Sequence, residues 1–382
     1  LFESQYKQLK EGMTAIEFYR VVVPIISATR CGHTYIGLSD QDFSAFMESA
    51  RFLPFSIYWQ NNTALVNANV LIPQLPIGSQ IISINGVKIE EVIAGLLQNI
   101  SSDGENQTMK MRAINDGFRY HYVMDRPTPS KMNIEYIDPN SSVKSSLEIK
   151  TVYKSDLVAA GDSLWGLMSW LSWSNSSLFE KDYAVLRMAS FYPSGGQSVT
   201  TYKTFIDDFF EKVKQDQVQN VVIDVRDNSG GDPNVAAHLL SYIEKAEVPY
   251  FEEESGSYYP NLVKPLPFAE NRFTGNIYVL INGRGFSTTG HFLALLKYHN
   301  IGIMIGEESG ASFACTDASI TVNLTHTNLM FRSSRRVFKV AVEGLMPGRG
   351  VFPDYTVVPT LDEILSEKDV EMAVALELIR KP

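Results

Sequence analysis

The second half of the chain predicts an α/β protein with a mainly parallel sheet. Continuous apolar runs alternate there with segments of helical spacing; the runs are VVIDVR (221–226), NIYVLIN (276–282) and IGIMIGE (301–307). Parallel strands have this appearance because helices cover both faces of their sheet. We therefore expect residues 151–382 to form an α/β core of βαβ units.

Two segments with other patterns precede this core. Residues 1–54 carry apolar positions at three- and four-residue intervals, which predicts a helical N-terminal segment. Residues 55–150 are richer in short strands, and SINGVKI (83–89) has an Asn-Gly turn between two of them. This string resembles the PDZ domains attached to certain peptidases, which implies a PDZ-like β-rich domain. We expect FRYHYVM (118–124) to supply one of its later strands.

Composition restricts the class of partner. The chain has 382 residues, 45% of them hydrophobic, enough to bury the cores of two or three domains. The net charge of -10 makes a nucleic acid an improbable partner, because phosphate binding needs a basic face. The sequence has no run of eighteen apolar residues that would span a membrane. Because it begins at Leu1, we interpret it as a processed chain and expect export to the periplasm, cell envelope or exterior.

The sequence indicates neither a metal nor an organic cofactor. Its two cysteines, Cys31 and Cys315, are too few for a metal cluster, and no phosphate-binding loop is present. The two cysteines are either free buried thiols or one long-range disulfide.

Three strand ends carry the polar residues on which function depends. They are DVRDNSGGD (224–232), INGRGFSTTGH (281–291) and GEESGASFACTD (306–317). In open α/β sheets, sites form beyond the carboxyl ends of the strands. Adjacent N–H groups at Gly230 and Gly231 would make a receptor for developing negative charge. The same glycine pair is also compatible with a plain strand-to-helix turn.

Ser287 lies where a strand passes into a helix. Its hydroxyl is either the N-cap of that helix or a nucleophile near the positive end of the helix dipole, and Thr288 and Thr289 compete for both roles. A serine nucleophile needs a base. His33 follows a glycine in TRCGHTYIGL, but this position alone favours a structural role over a catalytic one. The other histidines lie in segments predicted as strands or helices: His121, His238, His291, His299 and His326.

VVIDVRDNSGGD resembles the Asp-Leu-Arg-x-Asn-x-Gly-Gly signature of the C-terminal processing (tail-specific) serine peptidases. The order of strand, serine-bearing turn, helix and Gly-Glu strand end over residues 276–310 is similar to that family. GRGVFPD (348–354) matches its Gly-x-x-Pro-Asp element. The resemblance implies a peptidase core that acts on peptide or protein substrates.

CGHT (31–34) indicates which branch of the family applies. Some members pair the serine with a lysine after the Gly-Glu strand end, and GEESGASFACTD contains no lysine. Other members, similar to the tricorn protease and the domains of interphotoreceptor retinoid-binding protein, have an upstream Gly-His-Thr motif. The resemblance then implies that Ser287 is the nucleophile and His33 the base. It also implies that N–H groups of Gly230, Gly231 and Thr288 form the oxyanion hole.

The chain departs from the family pattern at one position. Gly290 stands where family members often have glutamate, which keeps Thr289 as an alternative nucleophile. Glu307 and Glu343 are both candidates for the acid that orients the histidine. The alternative function is a catalytically inactive peptide- or ligand-binding protein with the same fold.

Overall fold

The computed structural model describes residues 1–162, 174–193 and 195–381. The N-terminal segment is helical, with one short strand between its second and third helices: α1 (Phe2–Tyr6), α2 (Ala15–Ser27), β1 (Tyr35–Gly37) and α3 (Asp40–Ser49). A capping box starts α2: the Thr14 hydroxyl accepts the N–H of Glu17, and the Glu17 carboxylate accepts the N–H of Thr14.

The β-rich unit is an antiparallel sheet with two long helices. Its elements are β2 (Ser56–Gln60), β3 (Thr63–Ala68), β4 (Gln80–Ile84), β5 (Val87–Lys88), α4 (Ile89–Gln98), α5 (Thr108–Asp125), β6 (Lys131–Ile137) and β7 (Lys144–Lys150). The strand order is β2-β3-β4-β6-β7, with β5 paired to β4. Phe55, Ile81 and Phe118 lie in its separate apolar core, and the short helix α6 (Lys154–Ala159) follows.

The strand predicted at FRYHYVM is wrong, because these residues belong to α5. Phe118 packs in the core beneath the sheet, whereas Tyr120 packs against Phe43 of α3. The helix is therefore buried on two sides, and the residues that serve the two sides alternate along the sequence. Burial on two sides therefore gives the sequence an alternation with a period of two residues, which is the pattern typical of a β-strand. Asn115 of α5 also hydrogen-bonds the N–H and carbonyl of Trp59 on edge strand β2.

The core is a six-stranded sheet covered on both faces, as the sequence predicted. Its sheet and helices are β8 (Ser176–Phe179), β9 (Ala184–Arg187), α7 (Val199–Gln215), β10 (Asn220–Asp224), α8 (Pro233–Ile243), β11 (Asn276–Ile281), α9 (Thr288–Tyr298) and β12 (Ile303–Gly306). The order is β17-β12-β11-β10-β9-β8, where β17 is Tyr355–Thr356, and only β8 runs antiparallel. One face packs against α7, α8 and α9. The other packs against the last helix, α11 (Val370–Arg380), which follows α10 (Leu361–Leu365).

Two small antiparallel sheets accompany this core, and one of them includes β1 of the N-terminal segment. The strands are β13 (Ala314–Asp317), β14 (Ile320–Asn323), β15 (Met330–Ser333) and β16 (Arg336–Lys339). β13 pairs with β16, and β15 pairs with β14 on one side and β1 on the other. In that last pairing Tyr35 lies opposite Arg332. The CGHT segment, just before β1, is thereby brought to the carboxyl edge of the main sheet.

Candidate active site

Ser287 lies in a strained turn between β11 and α9. Its φ is 55° and its ψ is -124°, and a positive φ is uncommon for a residue with a side chain. Ser287 occupies the N-cap position, yet its hydroxyl makes no capping hydrogen bond. The Ser287 hydroxyl therefore does not cap α9, and its role as nucleophile stays a prediction.

The two neighbouring threonines have different surroundings. Thr288 donates its hydroxyl to the carbonyl of Gly231 at 2.6 Å. Thr289 is fully buried, and its hydroxyl has no hydrogen-bond partner among the described residues. Of the three hydroxyl residues, Ser287 is the one that lines the cleft at the edge of the sheet.

The glycine pair packs directly against this turn. Gly230 and Gly231 have φ values of 104° and 142°. A Cβ on Gly230 would lie 2.8 Å from the Cβ of Ser287, and one on Gly231 would overlap the backbone of Tyr192. Both positions therefore require glycine, for conformation and for close approach.

The two glycines differ as hydrogen-bond donors. The N–H of Gly230, predicted for the oxyanion hole, already donates to the Asn228 side chain at 2.9 Å. The N–H groups of Gly231 and Thr288 have no acceptor within the described parts of the chain. Both N–H groups are therefore available as backbone donors next to Ser287.

His33 reaches the same cleft from the N-terminal segment. The cleft has a volume of about 460 Å³, and its lining includes His33, Gly231, Tyr259, Ser287, Asp317 and Arg332. The imidazole stacks on the ring of Phe286, with centroids 4.6 Å apart. A Cβ on Gly32 would come within 2.5 Å of the Phe286 ring, and the Gly32 N–H donates to Asp103 at 2.7 Å. These contacts account for the glycine of the CGHT motif.

The charge environment of His33 is asymmetric. Burial lowers its pKa, nearby Asp317 raises it, and nearby Arg332 lowers it. Nε2 lies 3.8 Å from Oδ2 of Asp317, which is longer than a hydrogen bond. Nδ1 is buried, and no residue in the described ranges hydrogen-bonds to it.

Neither glutamate predicted to orient His33 lies at this ring. Glu343 is exposed, and Glu307 is partly buried near Arg112, where burial raises its pKa and Arg112 lowers it. Asp317 and Arg332 lie beside His33 instead, and the sequence analysis did not single them out. Asp317 ends the GEESGASFACTD segment, but its position depends on the pairing of β13 with β16.

The two cysteines are free thiols. The Cys31 sulfur lies 2.6 Å from the Thr316 hydroxyl, and successive side chains of a strand point to opposite faces. Cys31 is therefore on the opposite side of β13 from Cys315. Burial raises the pKa of the Cys315 thiol well above its usual value, while a hydrogen bond with Ser287 lowers it.

Within residues 1–162, 174–193 and 195–381, no group of three or more His, Cys, Asp or Glu side chains is arranged to hold a metal ion. In the same ranges, no helix has the length and apolar character needed to cross a membrane.

Comparison with known proteins identifies the family. Residues 182–357 match the model of peptidase family S41. Mature CPAF is similar in structure, with a TM-score of 0.65 and 13% identity over 99% of this chain and 90% of that one. Mature CPAF complexed with lactacystin has a TM-score of 0.64 and 14% identity over 99% of this chain and 91% of that one. The photosystem II D1 C-terminal processing protease has a TM-score of 0.42 and 13% identity over 95% of this chain and 89% of that one.

The CPAF structures share the fold of this chain at low sequence identity. Comparison of the sequence with curated proteins gives no match. The signature around Gly230 and Gly231 and the match over residues 182–357 agree on one family. Residues 182–357 belong to peptidase family S41, a family of serine peptidases.

Proposed function

We propose that this peptidase cleaves peptide bonds through attack by the Ser287 hydroxyl, with His33 as general base. The observation that carries the proposal is the strained turn at Ser287. It presents a hydroxyl that does not cap α9 to a cleft that His33 and the glycine pair also line.

The proposed reaction follows the serine-peptidase scheme. The Ser287 oxygen attacks the scissile carbonyl while His33 takes the hydroxyl proton, and His33 then gives that proton to the leaving amine. Water, activated by His33, hydrolyses the acyl-enzyme and regenerates Ser287. The N–H groups of Gly231 and Thr288 would donate to the oxyanion, and the N-terminus of α9 adds a favourable dipole.

Two features of the resting site bear on this scheme. Burial lowers the pKa of His33, which favours the neutral imidazole that a base requires at pH 7. Ser287 lowers the pKa of the nearby Cys315 thiol, and the described residues include no hydrogen bond between Ser287 and His33. Attack therefore requires the Ser287–His33 hydrogen bond to form, and such bonds often tighten only when substrate is bound.

We also propose that residues 55–150 form a PDZ-like unit. An antiparallel sheet with two helices supports this assignment. The side chain of Asn115 bonds the backbone of Trp59 on edge strand β2, so α5 already covers that edge at this position. A substrate strand added there would have to displace Asn115.

The test is labelling with a fluorophosphonate, followed by mass spectrometric mapping of the adduct and assays of peptide hydrolysis. We expect the adduct on Ser287, and we expect Ser287→Ala and His33→Ala each to lower kcat by about 10⁴-fold or more. The double variant should be little worse than either, because nucleophile and base act as one unit.

Thr289→Val is the matched control. It removes a buried hydroxyl that has no partner among the described residues and keeps the side-chain shape, so activity should persist. An active Ser287→Ala protein with an inactive Thr289→Val protein would move the nucleophile to Thr289. An unaltered protein that neither hydrolyses peptides nor forms an adduct would support the binding-protein alternative.

A further inference from the structure

Among the described residues, no carboxylate bonds His33 at the nitrogen where serine peptidases usually have one. In a Ser-His-Asp triad an acid accepts the N–H on the far side of the ring from the nucleophile. Here Nδ1 is the buried nitrogen, and nothing in the described parts of the chain bonds to it. Nε2 faces Asp317 at 3.8 Å. The acid therefore lies at the edge of the ring that carries Nε2, in the cleft itself.

Asp317 is held in place by its other oxygen. Oδ1 accepts hydrogen bonds from the Ser319 hydroxyl at 2.8 Å and from Arg332 at 3.2 Å. Oδ2 is left to face His33. Asp317 of β13 and Arg332 of β15 therefore place one anion and one cation beside His33.

We propose that Asp317 is a positioning residue that stabilises the protonated form of His33 during turnover, and that Arg332 limits this effect. The inference rests on the proposed function, in which His33 carries a positive charge after it accepts the serine proton. At 3.8 Å the effect is one of charge rather than of a hydrogen bond, and substrate binding can shorten the distance. An opposite charge at this range shifts a pKa by about 1–3 units.

The remaining groups around His33 do not replace Asp317. His291 of α9 is buried, and burial lowers its pKa to about 4, so it is neutral at pH 7. Asp103 bonds the N–H of Gly32, and burial raises its pKa to about 6. Asp103 forms no ion pair with His33 among the described residues, whereas Asp317 does. The Cys315 thiol, with its raised pKa, is uncharged at pH 7.

The test is an NMR titration of the His33 imidazole in the full chain and in three variants, with the signal assigned through His33→Gln. Asp317→Asn should lower the pKa of His33 by about one unit or more. Arg332→Gln should raise it, because it removes a cation and releases Asp317. Asp103→Asn is the matched control, since its amide oxygen still accepts the Gly32 N–H, and it should change the pKa less than Asp317→Asn does.

Kinetics give a second readout. Asp317→Asn should lower kcat by at least tenfold with little change in KM, and Asp317→Glu should restore part of the loss. The acid limb of the pH profile should move to lower pH in Asp317→Asn and to higher pH in Arg332→Gln. If Asp317 and Arg332 had a purely structural role, their substitutions would not shift the acid limb of the pH profile in opposite directions.

The inference would be overturned if Asp317→Asn and Arg332→Gln shifted the pKa of His33 equally. It would also be overturned if Asp103→Asn shifted this pKa more than Asp317→Asn does. The titration does not depend on turnover and can be repeated in Ser287→Ala. An inactive parent protein would therefore contradict the proposed function, while the titration would still decide the role of Asp317.

Discussion

The ring of Phe286 stacks on the imidazole of His33, with centroids 4.6 Å apart and planes inclined by 28°. Phe286 immediately precedes Ser287, so the residue next to the proposed nucleophile also supports the proposed base. The two side chains come from distant parts of the sequence, and their contact joins the N-terminal segment to the turn before α9.

Gly32→Ala should disrupt this stack. The added methyl group would come within 2.5 Å of Phe286, so the ring or the His33 backbone must move. We expect kcat/KM to fall by about 100-fold, because a displacement of about 1 Å costs that much in positioned catalysis. Steady-state kinetics on a peptide substrate measure the loss.

Gly37→Ala is the control for this substitution. Gly37 lies on β1 close to His33 in sequence, and a Cβ there meets nothing within 4 Å. Its activity should remain close to that of the parent. Unchanged activity in Gly32→Ala would mean that the stack does not position His33.

Gly231→Ala should impair the oxyanion site. Its φ of 142° and its overlap with the backbone of Tyr192 both force this loop to move. Loss of one aligned donor costs about 10²–10³-fold in kcat, and we expect a loss of at least that size in a peptide-hydrolysis assay. Gly161→Ala also places alanine at a positive φ, 76°, but without steric contact. If both variants lost activity equally, backbone strain rather than the site would be responsible.

The sheet and its functional edge could be predicted because their signals are local. A buried parallel strand such as β10 is a continuous apolar run, and the Gly230-Gly231 pair follows it after five residues. The family match confirmed the serine peptidase prediction made from this signature. The roles of Ser287 and His33 stay predictions, although both residues line one cleft.

The features that sequence could not predict depend on long-range packing. The alternation around Phe118 arises because α5 is buried on two sides, and no local pattern distinguishes that from a strand. Asp317 reaches His33 only through the pairings of β13 with β16 and of β1 with β15. The sequence could not exclude Glu307 or Glu343 as the acid that orients His33, because the spacing of residues does not encode those strand pairings.

Activity should depend on pH through His33. Burial lowers the pKa of His33 below its usual value of 6.5, so kcat/KM should stay constant near neutrality and fall at a pH below 6.5. The pKa values of His121 and His291 are also lowered by burial, to about 4. The folded state therefore binds fewer protons than the unfolded state between pH 4 and 6.5, and stability declines as the pH falls through that window.

Circular dichroism at each pH separates these two effects. Loss of activity while the protein remains folded would report His33. An acid limb that coincides with unfolding, or one that lies above pH 7, would contradict the assignment of His33 as a buried base.

Glu244→Gln should stabilise the protein at alkaline pH. Glu244 is buried beyond the end of α8, one of its carboxylate oxygens has no partner among the described residues, and burial raises its pKa to about 8. Between pH 4.5 and 8 the folded state holds a proton that the unfolded state has released, so this carboxyl lowers stability as the pH rises. The variant should gain about 1–3 kcal/mol at pH 8.5 and little at pH 4.5. Urea unfolding at both pH values measures the gain, and Glu247→Gln at an exposed position should show none. A gain of equal size at both pH values would show that the buried charge is not the cause.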